Sequence, residues 1–287
     1  MVEGMGIEDI KLYRGKGQYI LMDKDVIYRQ VDYAKLTKKD TVLEIGPGMG
    51  ALTFKLAEKA KKVVAIEKDH RLFSYLAGRI PENVELVNED VLEMELPKFE
   101  VVVSNLPYQI SSPVTFKLLK HEFRRAILMY QREFAERMTA KALDNDYCRL
   151  SVNVYYRAEC SILEFVSKEA FYPKPKVDSA IIELVPRKPP FEVKNEEMFF
   201  KVVDTLFGQR RKKIKNPLIG LIRTELKKSG APSKSSLNEI INDIPFKDER
   251  VEKLSPEKIA LLADNLFLTL SDYIDSHKNN NAGLASN

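Results

Sequence analysis

Four consecutive residues, Asn105-Leu106-Pro107-Tyr108, could hold and activate an aromatic amine. An adenine amine is a poor nucleophile because its lone pair is delocalised into the ring. The Asn105 side-chain oxygen and the Leu106 carbonyl can accept its N–H bonds and draw that lone pair outward, while Pro107 fixes the backbone. Tyr108 can stack on a base that is flipped out of its helix. Taken alone, the tetrapeptide could also be an ordinary turn after a buried strand.

A glycine-rich loop lies earlier in the chain and reads Glu44-Ile45-Gly46-Pro47-Gly48-Met49-Gly50. Glycines such as Gly46 and Gly48 let the backbone turn sharply and approach a ligand closely. The helix that is predicted to follow offers free N–H groups and a partial positive charge, which suits a nucleotide-like ligand. The spacing is not that of dinucleotide binders, and the loop alone could be a tight strand–helix turn without a ligand.

Two carboxylates follow the next two predicted strands. Glu67 ends the second strand, where a carboxylate can accept hydrogen bonds from both ribose hydroxyls, in NAD enzymes as in methyltransferases. Asp90 follows the third strand, where it could accept from an adenine amine. Either residue alone could be an ordinary surface charge, but their positions at successive strand ends favour an adenosine-containing ligand.

The elements that must position these residues alternate between strand and helix. The predicted strands are 41–45, 63–67, 84–87, 100–104 and 126–130. The predicted helices among them are 51–62, 71–80 and 133–142. This alternation indicates a parallel sheet that is covered by helices on both faces. Two further β-rich runs, 151–166 and 179–185, have no helix between them and indicate an antiparallel pair at one sheet edge.

A proline-rich linker at 186–190 divides the chain into two predicted domains. Residues 1–187 are expected to form the α/β domain, and residues 188–275 a small all-helical domain. The predicted helices of the second domain are 198–207, 218–228 and 256–272. The polar, low-complexity tail 276–287 is predicted to be disordered.

A basic run at 209–215 places five positive charges within seven residues. Such runs commonly contact phosphates and make binding strongly dependent on salt. The run could equally be a solvated helix face. The net charge of the whole chain, +4, allows a polyanionic partner without requiring one.

The composition argues against several classes of protein. The chain has 287 residues, and its hydrophobic fraction of 44% is typical of a globular protein. Two cysteines and three histidines, without ligand spacing, argue against a metal site. The longest apolar runs are about six to eight residues, whereas a membrane span needs roughly 20. No apolar signal segment begins the sequence, so a cytoplasmic protein without a membrane partner is expected.

These features together resemble the ribosomal RNA adenine dimethylases, the kasugamycin-sensitivity methyltransferases of small-subunit rRNA. The likeness runs from about residue 15 to about residue 207 and includes the glycine loop and the tetrapeptide. Three further stretches resemble family motifs: Gly17-Gln18-Tyr19-Ile20-Leu21, Phe171-Tyr172-Pro173-Lys174-Pro175-Lys176-Val177-Asp178-Ser179 and Phe207-Gly208-Gln209-Arg210-Arg211-Lys212. Tyr19 and Ile20 depart from the family, which usually has Asn or His and then Phe at these positions. The short C-terminal domain fits an archaeal type.

The resemblance implies a Rossmann-like, seven-stranded class I methyltransferase sheet that binds S-adenosylmethionine. By this likeness, the cofactor would contact Gln18, Tyr19, Leu21, Gly46, Gly48, Glu67, Asp90 and Asn105. Gly46 would lie near the methionine part, Glu67 on the ribose and Asp90 on the adenine. Asn105, Leu106, Pro107 and Tyr108 would form the catalytic loop. Phe171 would pack against the target base opposite Tyr108.

The implied reaction converts two adjacent adenosines to N6,N6-dimethyladenosine. The substrate would be a hairpin near the 3′ end of small-subunit rRNA within an assembling small ribosomal subunit, and the enzyme is expected to be a monomer. Three alternatives stay open at this point. The same chemistry could act on large-subunit rRNA or DNA, catalysis could be secondary to a role in ribosome assembly, or the loop could bind NAD in an oxidoreductase.

Overall fold

The structure is a computed structural model that describes residues 17–227 and 234–284, and it divides into two compact units. The first unit comprises the described residues up to Thr139 together with Arg157–Arg187. The second comprises Ala140–Tyr156 and the described residues from Lys188 onward. One division therefore falls at the predicted linker. Residues 140–156, which the sequence analysis places in the first domain, belong instead to the second unit.

The first unit is built around a mixed seven-stranded sheet. In chain order its strands are β2 (Thr41–Ile45), β3 (Lys62–Ile66), β4 (Val84–Val87), β5 (Val101–Asn105), β6 (Arg125–Gln131), β7 (Ala158–Val166) and β9 (Ser179–Pro186). Their spatial order is β4-β3-β2-β5-β6-β9-β7. The pairs from β4 to β6 are parallel, whereas β9 is antiparallel to both of its neighbours. The predicted fold class and the predicted antiparallel pair at one edge are therefore confirmed.

In the described part of the chain, the same unit contains five α-helices, of which the second, third and fourth connect parallel strands. They are α1 (Lys24–Tyr33), α2 (Ala51–Lys59), α3 (His70–Ala77), α4 (Ser111–Leu118) and α5 (Arg132–Thr139). The valines that open β5 are fully buried, as the continuous apolar run predicts for a central strand. Because β2, β3 and β5 run parallel, their carboxyl ends lie at one edge of the sheet. The glycine loop, Glu67 and the tetrapeptide all follow these ends.

A separate two-stranded sheet joins two distant motifs of the sequence. Its strands are β1 (Ile20–Leu21) and β8 (Phe171–Tyr172), which pair antiparallel with Leu21 opposite Phe171. The Met22 N–H extends the pairing by donating to the Ala170 carbonyl over 2.8 Å. The segment that carries Gln18 and Tyr19 is therefore attached to the segment that carries Phe171.

The second unit is helical within the part of the chain that the structure describes. Its helices are α6 (Arg149–Arg157), α7 (Glu196–Phe207), α8 (Lys215–Lys227), α9 (Lys234–Asp243) and α10 (Pro256–Leu284). The predicted β-run 151–166 is wrong in its first part, because residues 151–157 belong to α6. Val152 and Tyr156, one helical turn apart, are buried in the apolar core of this unit. Packing at helical spacing thus overrides the strand propensity of these residues.

The last helix, α10, is longer than the sequence pattern indicates. It continues from the packed stretch through Leu284, whereas the composition predicts disorder from 276. Once a helix is anchored by packing, each added residue gains a hydrogen bond at little nucleation cost, so a polar stretch can extend it. Residues 285–287 lie outside the described part. No helix within that part is long and apolar enough to cross a membrane.

Candidate active site

A cavity of about 490 Å³ lies where the carboxyl ends of the parallel strands meet the β1–β8 sheet. It is lined by most of the residues that the sequence analysis selects. These are Gln18, Tyr19, Gly46, Gly48, Glu67, Asn105, Leu106, Pro107, Tyr108 and Phe171. The volume is that of a small-molecule site, and residues 154 positions apart in sequence converge on it. The position of the cavity outside the strand ends is the usual one for ligands of open α/β sheets.

Asn105 ends β5 and lines the cavity, and its side chain carries an unpaired oxygen. Its Oδ1 atom is buried and has no hydrogen-bond partner among the described residues. The strand beneath it is fixed, because the Ser104 hydroxyl donates to the Ile45 carbonyl of β2 over 2.5 Å. An unpaired acceptor on a fixed strand costs free energy unless a ligand satisfies it. Asn105 is therefore positioned to accept a hydrogen bond from a molecule in the cavity.

The glycine loop approaches the tetrapeptide closely. The Gly46 N–H donates to the Ile66 carbonyl over 2.9 Å, which ties the start of the loop to β3. Gly46 has φ +71°, and a Cβ atom there would lie 3.3 Å from Cδ of Pro107. Gly48 has φ +59°, with open space where its Cβ would be. Glycine at these two positions gives the loop a conformation and a clearance that other residues would not have.

Glu67 holds the loop from β3. Its Oε2 atom accepts the Gly48 N–H over 3.2 Å, and its Oε1 atom accepts the Asp69 N–H over 2.8 Å. Burial raises the pKa of Glu67 above its ordinary value. A carboxylate with two such bonds keeps lone pairs for further donors, so Glu67 can still accept hydroxyl groups of a ligand.

Glu44, the first residue of the glycine motif, is fully buried beneath the loop. Burial raises its pKa to about 8, and the negative charge of Glu67 adds to this shift. Its Oε2 atom has no hydrogen-bond partner among the described residues. Glu44 does not line the cavity, so its effect on the site is exerted through the loop.

Aromatic side chains form the opposite wall of the cavity. The rings of Tyr19 and Tyr108 lie 5.5 Å apart with an interplanar angle of 32°. The Tyr108 hydroxyl is 2.8 Å from the Ser179 hydroxyl, which joins the tetrapeptide to the last residue of the 171–179 motif. Burial raises the pKa of Tyr108, so this phenol stays neutral. With Phe171 nearby in the lining, these rings could enclose a flat, aromatic ligand.

Three cavity residues at the start of α3, Lys68, Asp69 and His70, were not selected from the sequence. Asp69 is the N-cap of α3, and its Oδ2 atom accepts the Gln18 amide over 2.9 Å. The Arg71 guanidinium beside it holds the pKa of Asp69 well below its usual range. An aspartate just before a helical pattern is a recognisable N-cap signal, so Asp69 could have been found. The contact with Gln18 could not, because it joins distant segments.

Asp90 and Leu21 do not line the cavity. The Asp90 carboxylate pairs with the Lys68 ammonium over 2.5 Å and accepts the Leu92 N–H over 3.0 Å. Lys68 itself lines the cavity, so Asp90 is linked to the cavity through its ion pair with Lys68. Leu21 is buried in the hydrophobic core of the first unit together with Phe171. Adenine recognition by Asp90 and cofactor contact by Leu21 stay predictions.

The basic run 209–215 forms a turn in the helical unit, so it is not a solvated helix face. Lys213 and Lys215 both pair with Asp248, at 3.3 and 2.8 Å. Arg211 and Lys212 are exposed, and no ion pair to either is found within the described residues. Arg210, the fifth charge of the run, lies 4.0 Å from Glu252. Part of the positive charge is thus neutralised locally.

No group of three or more histidine, cysteine, aspartate or glutamate side chains within residues 17–227 and 234–284 could hold a metal ion. The cavity combines hydrogen-bond acceptors, a glycine loop and aromatic side chains. The side of the glycine loop can hold an adenosine-containing ligand. The side of Asn105 can hold a second, flat ligand that carries an amine.

Comparisons with known proteins identify the family of this chain. The sequence profile of the family described as ribosomal RNA adenine dimethylase matches residues 11–255. A relative from Methanosarcina acetivorans, named probable ribosomal RNA small subunit methyltransferase A, is 46% identical over 254 residues, covering 87% of this chain and 92% of the relative. A relative of the same name from Thermococcus gammatolerans is 47% identical over 250 residues and covers 86% of each chain.

Two solved structures have the same architecture over most of the chain. A dimethyladenosine transferase from Plasmodium falciparum matches with a TM-score of 0.72 at 30% identity, covering 90% of this chain and 98% of that one. The 23S rRNA methyltransferase ErmE matches with a TM-score of 0.60 at 30% identity, covering 86% and 98%. With the family profile matched from residue 11 to residue 255, this chain belongs to the ribosomal RNA adenine dimethylase family.

Proposed function

We propose that this chain transfers methyl groups from S-adenosylmethionine to N6 of two adjacent adenosines in small-subunit rRNA, giving N6,N6-dimethyladenosine. The target is a hairpin near the 3′ end of that RNA, within an assembling small subunit in the cytoplasm. Membership of the adenine dimethylase family and the names of the relatives at 46% and 47% identity support this substrate.

The observation that carries the proposal is the Asn105 Oδ1 atom, a buried acceptor without a partner in the described part of the chain. Adenine offers an exocyclic amine with two N–H donors to such an atom. The neighbouring Leu106 lines the same cavity and supplies a backbone carbonyl as a second acceptor. Tyr108 and Phe171 supply the aromatic surfaces between which a flipped base would stack.

The residues of the loop side fit S-adenosylmethionine. Gly46 and Gly48 have no side chain, so the backbone of the loop can approach a ligand closely. Their positive φ angles favour glycine, and at Gly46 the nearby Pro107 ring leaves little room for a Cβ atom. Glu67 retains acceptor capacity for ribose hydroxyls. The Gln18 amide fastens the segment before β1 to Asp69 and so closes this side of the cavity. Asp90 would reach the adenine if Lys68 moved aside.

When bound, S-adenosylmethionine supplies a methyl group that is already activated on a sulfonium. The task of the protein is therefore to hold the amine in line with that methyl group. Asn105 and the Leu106 carbonyl accept N–H bonds, keep the lone pair out of the ring and stabilise the positive charge that develops on nitrogen. The new N–C bond forms as the S–C bond breaks, so the donor would leave as the thioether S-adenosylhomocysteine, and the methylated nitrogen loses one proton to solvent. The monomethylated amine retains one N–H, so one acceptor can still hold it for the second transfer.

A direct test compares three substrates under identical conditions: isolated small subunits, isolated large subunits and duplex DNA. Labelled methyl donor is supplied, and the nucleosides are analysed by mass spectrometry. We expect N6,N6-dimethyladenosine from the small subunit alone. Product confined to large subunits or DNA would overturn the substrate assignment.

A second substrate, large-subunit rRNA, is favoured by the match to the 23S rRNA methyltransferase ErmE. The identity in that comparison is 30%, below the 46% and 47% of the small-subunit relatives. The large-subunit arm of the same assay tests this candidate.

A role in small-subunit assembly could coexist with catalysis, and the Asn105→Ala variant separates the two. We expect this variant to bind subunits as wild type does, without transferring methyl groups. If the variant fully supported subunit maturation while the deletion did not, assembly would be the primary role. Size-exclusion chromatography with light scattering tests the further proposal that the enzyme is a monomer.

A further inference from the structure

The 171–176 segment alternates between buried and exposed residues. Phe171, Pro173 and Pro175 are buried, whereas the residues between and after them, Tyr172, Lys174 and Lys176, are exposed. Tyr172 is 62% exposed, although large aromatic side chains are usually withdrawn from water. The three exposed side chains are called the rim strip below.

The rim strip begins next to the cavity, at Tyr172. Phe171 lines the cavity, and Tyr172 follows it directly on β8. Across the small sheet, Tyr172 pairs with Ile20, which also lines the cavity. Two prolines restrict the backbone of the segment, and the residues before them are held in extended conformations. The strip is therefore a restricted segment of backbone that starts beside the cavity and runs along the surface from Tyr172 to Lys176.

The chemistry of the strip matches a single-stranded nucleic acid. An exposed aromatic face stacks on bases of any sequence, and lysines contact phosphates. Lys174 pairs with Glu169, so its charge is partly neutralised. No ion pair to Lys176 is formed among the described residues, and its ammonium faces solvent. A base held in the cavity brings its flanking nucleotides close to the cavity, because they are covalently joined to it.

We propose that Tyr172, Lys174 and Lys176 bind the nucleotides that flank the target adenosine, with Tyr172 stacking on a base and the lysines contacting the phosphates. This inference rests on the proposed function for the identity of the strand. It adds a binding surface outside the cavity, built from the three variable positions between the fixed residues of the Phe-x-Pro-x-Pro-x-Val motif. The strip recognises the backbone and the charge of the nucleic-acid strand rather than its base sequence.

Fluorescence anisotropy with a labelled hairpin RNA, whose loop holds two adjacent adenosines, tests the proposal. We expect Tyr172→Ala to raise the Kd for the hairpin about fivefold or more, since stacking contributes about 1–3 kcal/mol per base. Tyr172→Phe keeps the ring and should bind within about twofold of wild type. The double variant Lys174→Ala/Lys176→Ala should weaken binding and reduce the slope of log Kd against log salt by about 1.4.

A matched control removes two exposed lysines from the opposite end of the sheet. Lys59 and Lys61 lie beside the start of β3, away from the carboxyl ends of the strands. The Lys59→Ala/Lys61→Ala variant loses the same charge and should change the salt slope little. Calorimetric binding of S-adenosylhomocysteine should be equal in all variants, which verifies that each is folded.

Unchanged hairpin binding by Tyr172→Ala and by the Lys174/Lys176 double variant would overturn the proposal, as would equal losses in the control. Equal weakening by Tyr172→Phe and Tyr172→Ala would overturn the stacking role. The readout is RNA binding, so it is separate from methyl transfer. A wild-type protein that binds the hairpin through the strip but methylates no small-subunit RNA would contradict the proposed function and leave the strip intact.

Discussion

Asn105 leaves a buried oxygen unpaired, which lowers the stability of the fold unless a ligand is bound. We therefore expect Asn105→Ala to retain or slightly raise the melting temperature while it lowers the rate of methyl transfer about 100-fold, the size of effect seen when one preorganised polar contact is removed. Thermal unfolding and single-turnover kinetics measure the two quantities on the same preparation.

Asn83 provides a matched control, because its amide donates to the Ala57 carbonyl over 3.0 Å. Asn83→Ala should lower the free energy of unfolding by about 1 kcal/mol and leave methyl transfer unchanged. If Asn105→Ala instead destabilised the protein as Asn83→Ala does and transferred methyl groups normally, Asn105 would be a structural residue.

Glu44 makes stability depend on pH in a definite direction. Its pKa is raised to about 8 in the folded state, so the folded protein keeps a proton that the unfolded chain releases at lower pH. Between the ordinary glutamate pKa and about 8, stability should therefore fall as pH rises, by up to about 1.4 kcal/mol per pH unit. Denaturant unfolding across this range should show the fall in wild type and a shallower one in Glu44→Gln. Parallel curves for the two proteins would contradict a neutral buried Glu44.

At the scale of elements, the glycine loop requires a positive φ angle and close packing against Pro107 at Gly46, a residue that lines the cavity. Gly46→Ala would place a methyl group 3.3 Å from the Pro107 ring at φ +71°, so we expect a loss of about 1–2 kcal/mol in stability and a marked loss of S-adenosylhomocysteine affinity. Gly78, at the end of α3, has ordinary φ and open space around it. Gly78→Ala should be neutral or slightly stabilising, with full ligand affinity. Full affinity in Gly46→Ala would show that the loop does not contact the cofactor.

The sequence predicts these elements unevenly. The parallel strands and the loops that follow them are predictable because continuous apolar runs, glycines and strand-end acids lie close together in sequence. The β1–β8 sheet was not predicted, since it joins strands of two residues each across about 150 positions and leaves no periodic pattern. Residues 151–157 were predicted as strand because valine and tyrosine favour it, and only their burial in the helical core reveals a helix.

At the scale of the whole molecule, the family resemblance and the fold class are confirmed, whereas the division of the chain is more complex than the linker suggests. The chain leaves the first unit after Thr139 and returns to it at Arg157. No proline-rich stretch marks the boundaries at 139–140 and 156–157. A search for linkers by composition therefore finds only the boundary between residues 187 and 188. The apolar spacing of Tyr147, Val152 and Tyr156 becomes informative only once their shared core is known.

Ligand-linked stability tests the cofactor assignment on the intact chain. S-adenosylhomocysteine at 100 times its Kd should raise the free energy of unfolding by about 2.7 kcal/mol, because it binds only the folded state. NAD⁺ at the same concentration serves as the control and should give no shift in a thermal unfolding assay. Stabilisation by NAD⁺ alone would favour the oxidoreductase alternative.

The central claim is that Asn105 and the Leu106 carbonyl hold an adenine amine for methylation in the cavity beside Gly46. Mass spectrometry of nucleosides from small subunits, incubated with labelled methyl donor and either wild type or Asn105→Ala, tests it most directly. We expect labelled N6,N6-dimethyladenosine with wild type and almost none with the variant when both proteins are saturated with the methyl donor. Equal amounts of labelled dimethyladenosine from both proteins would contradict it.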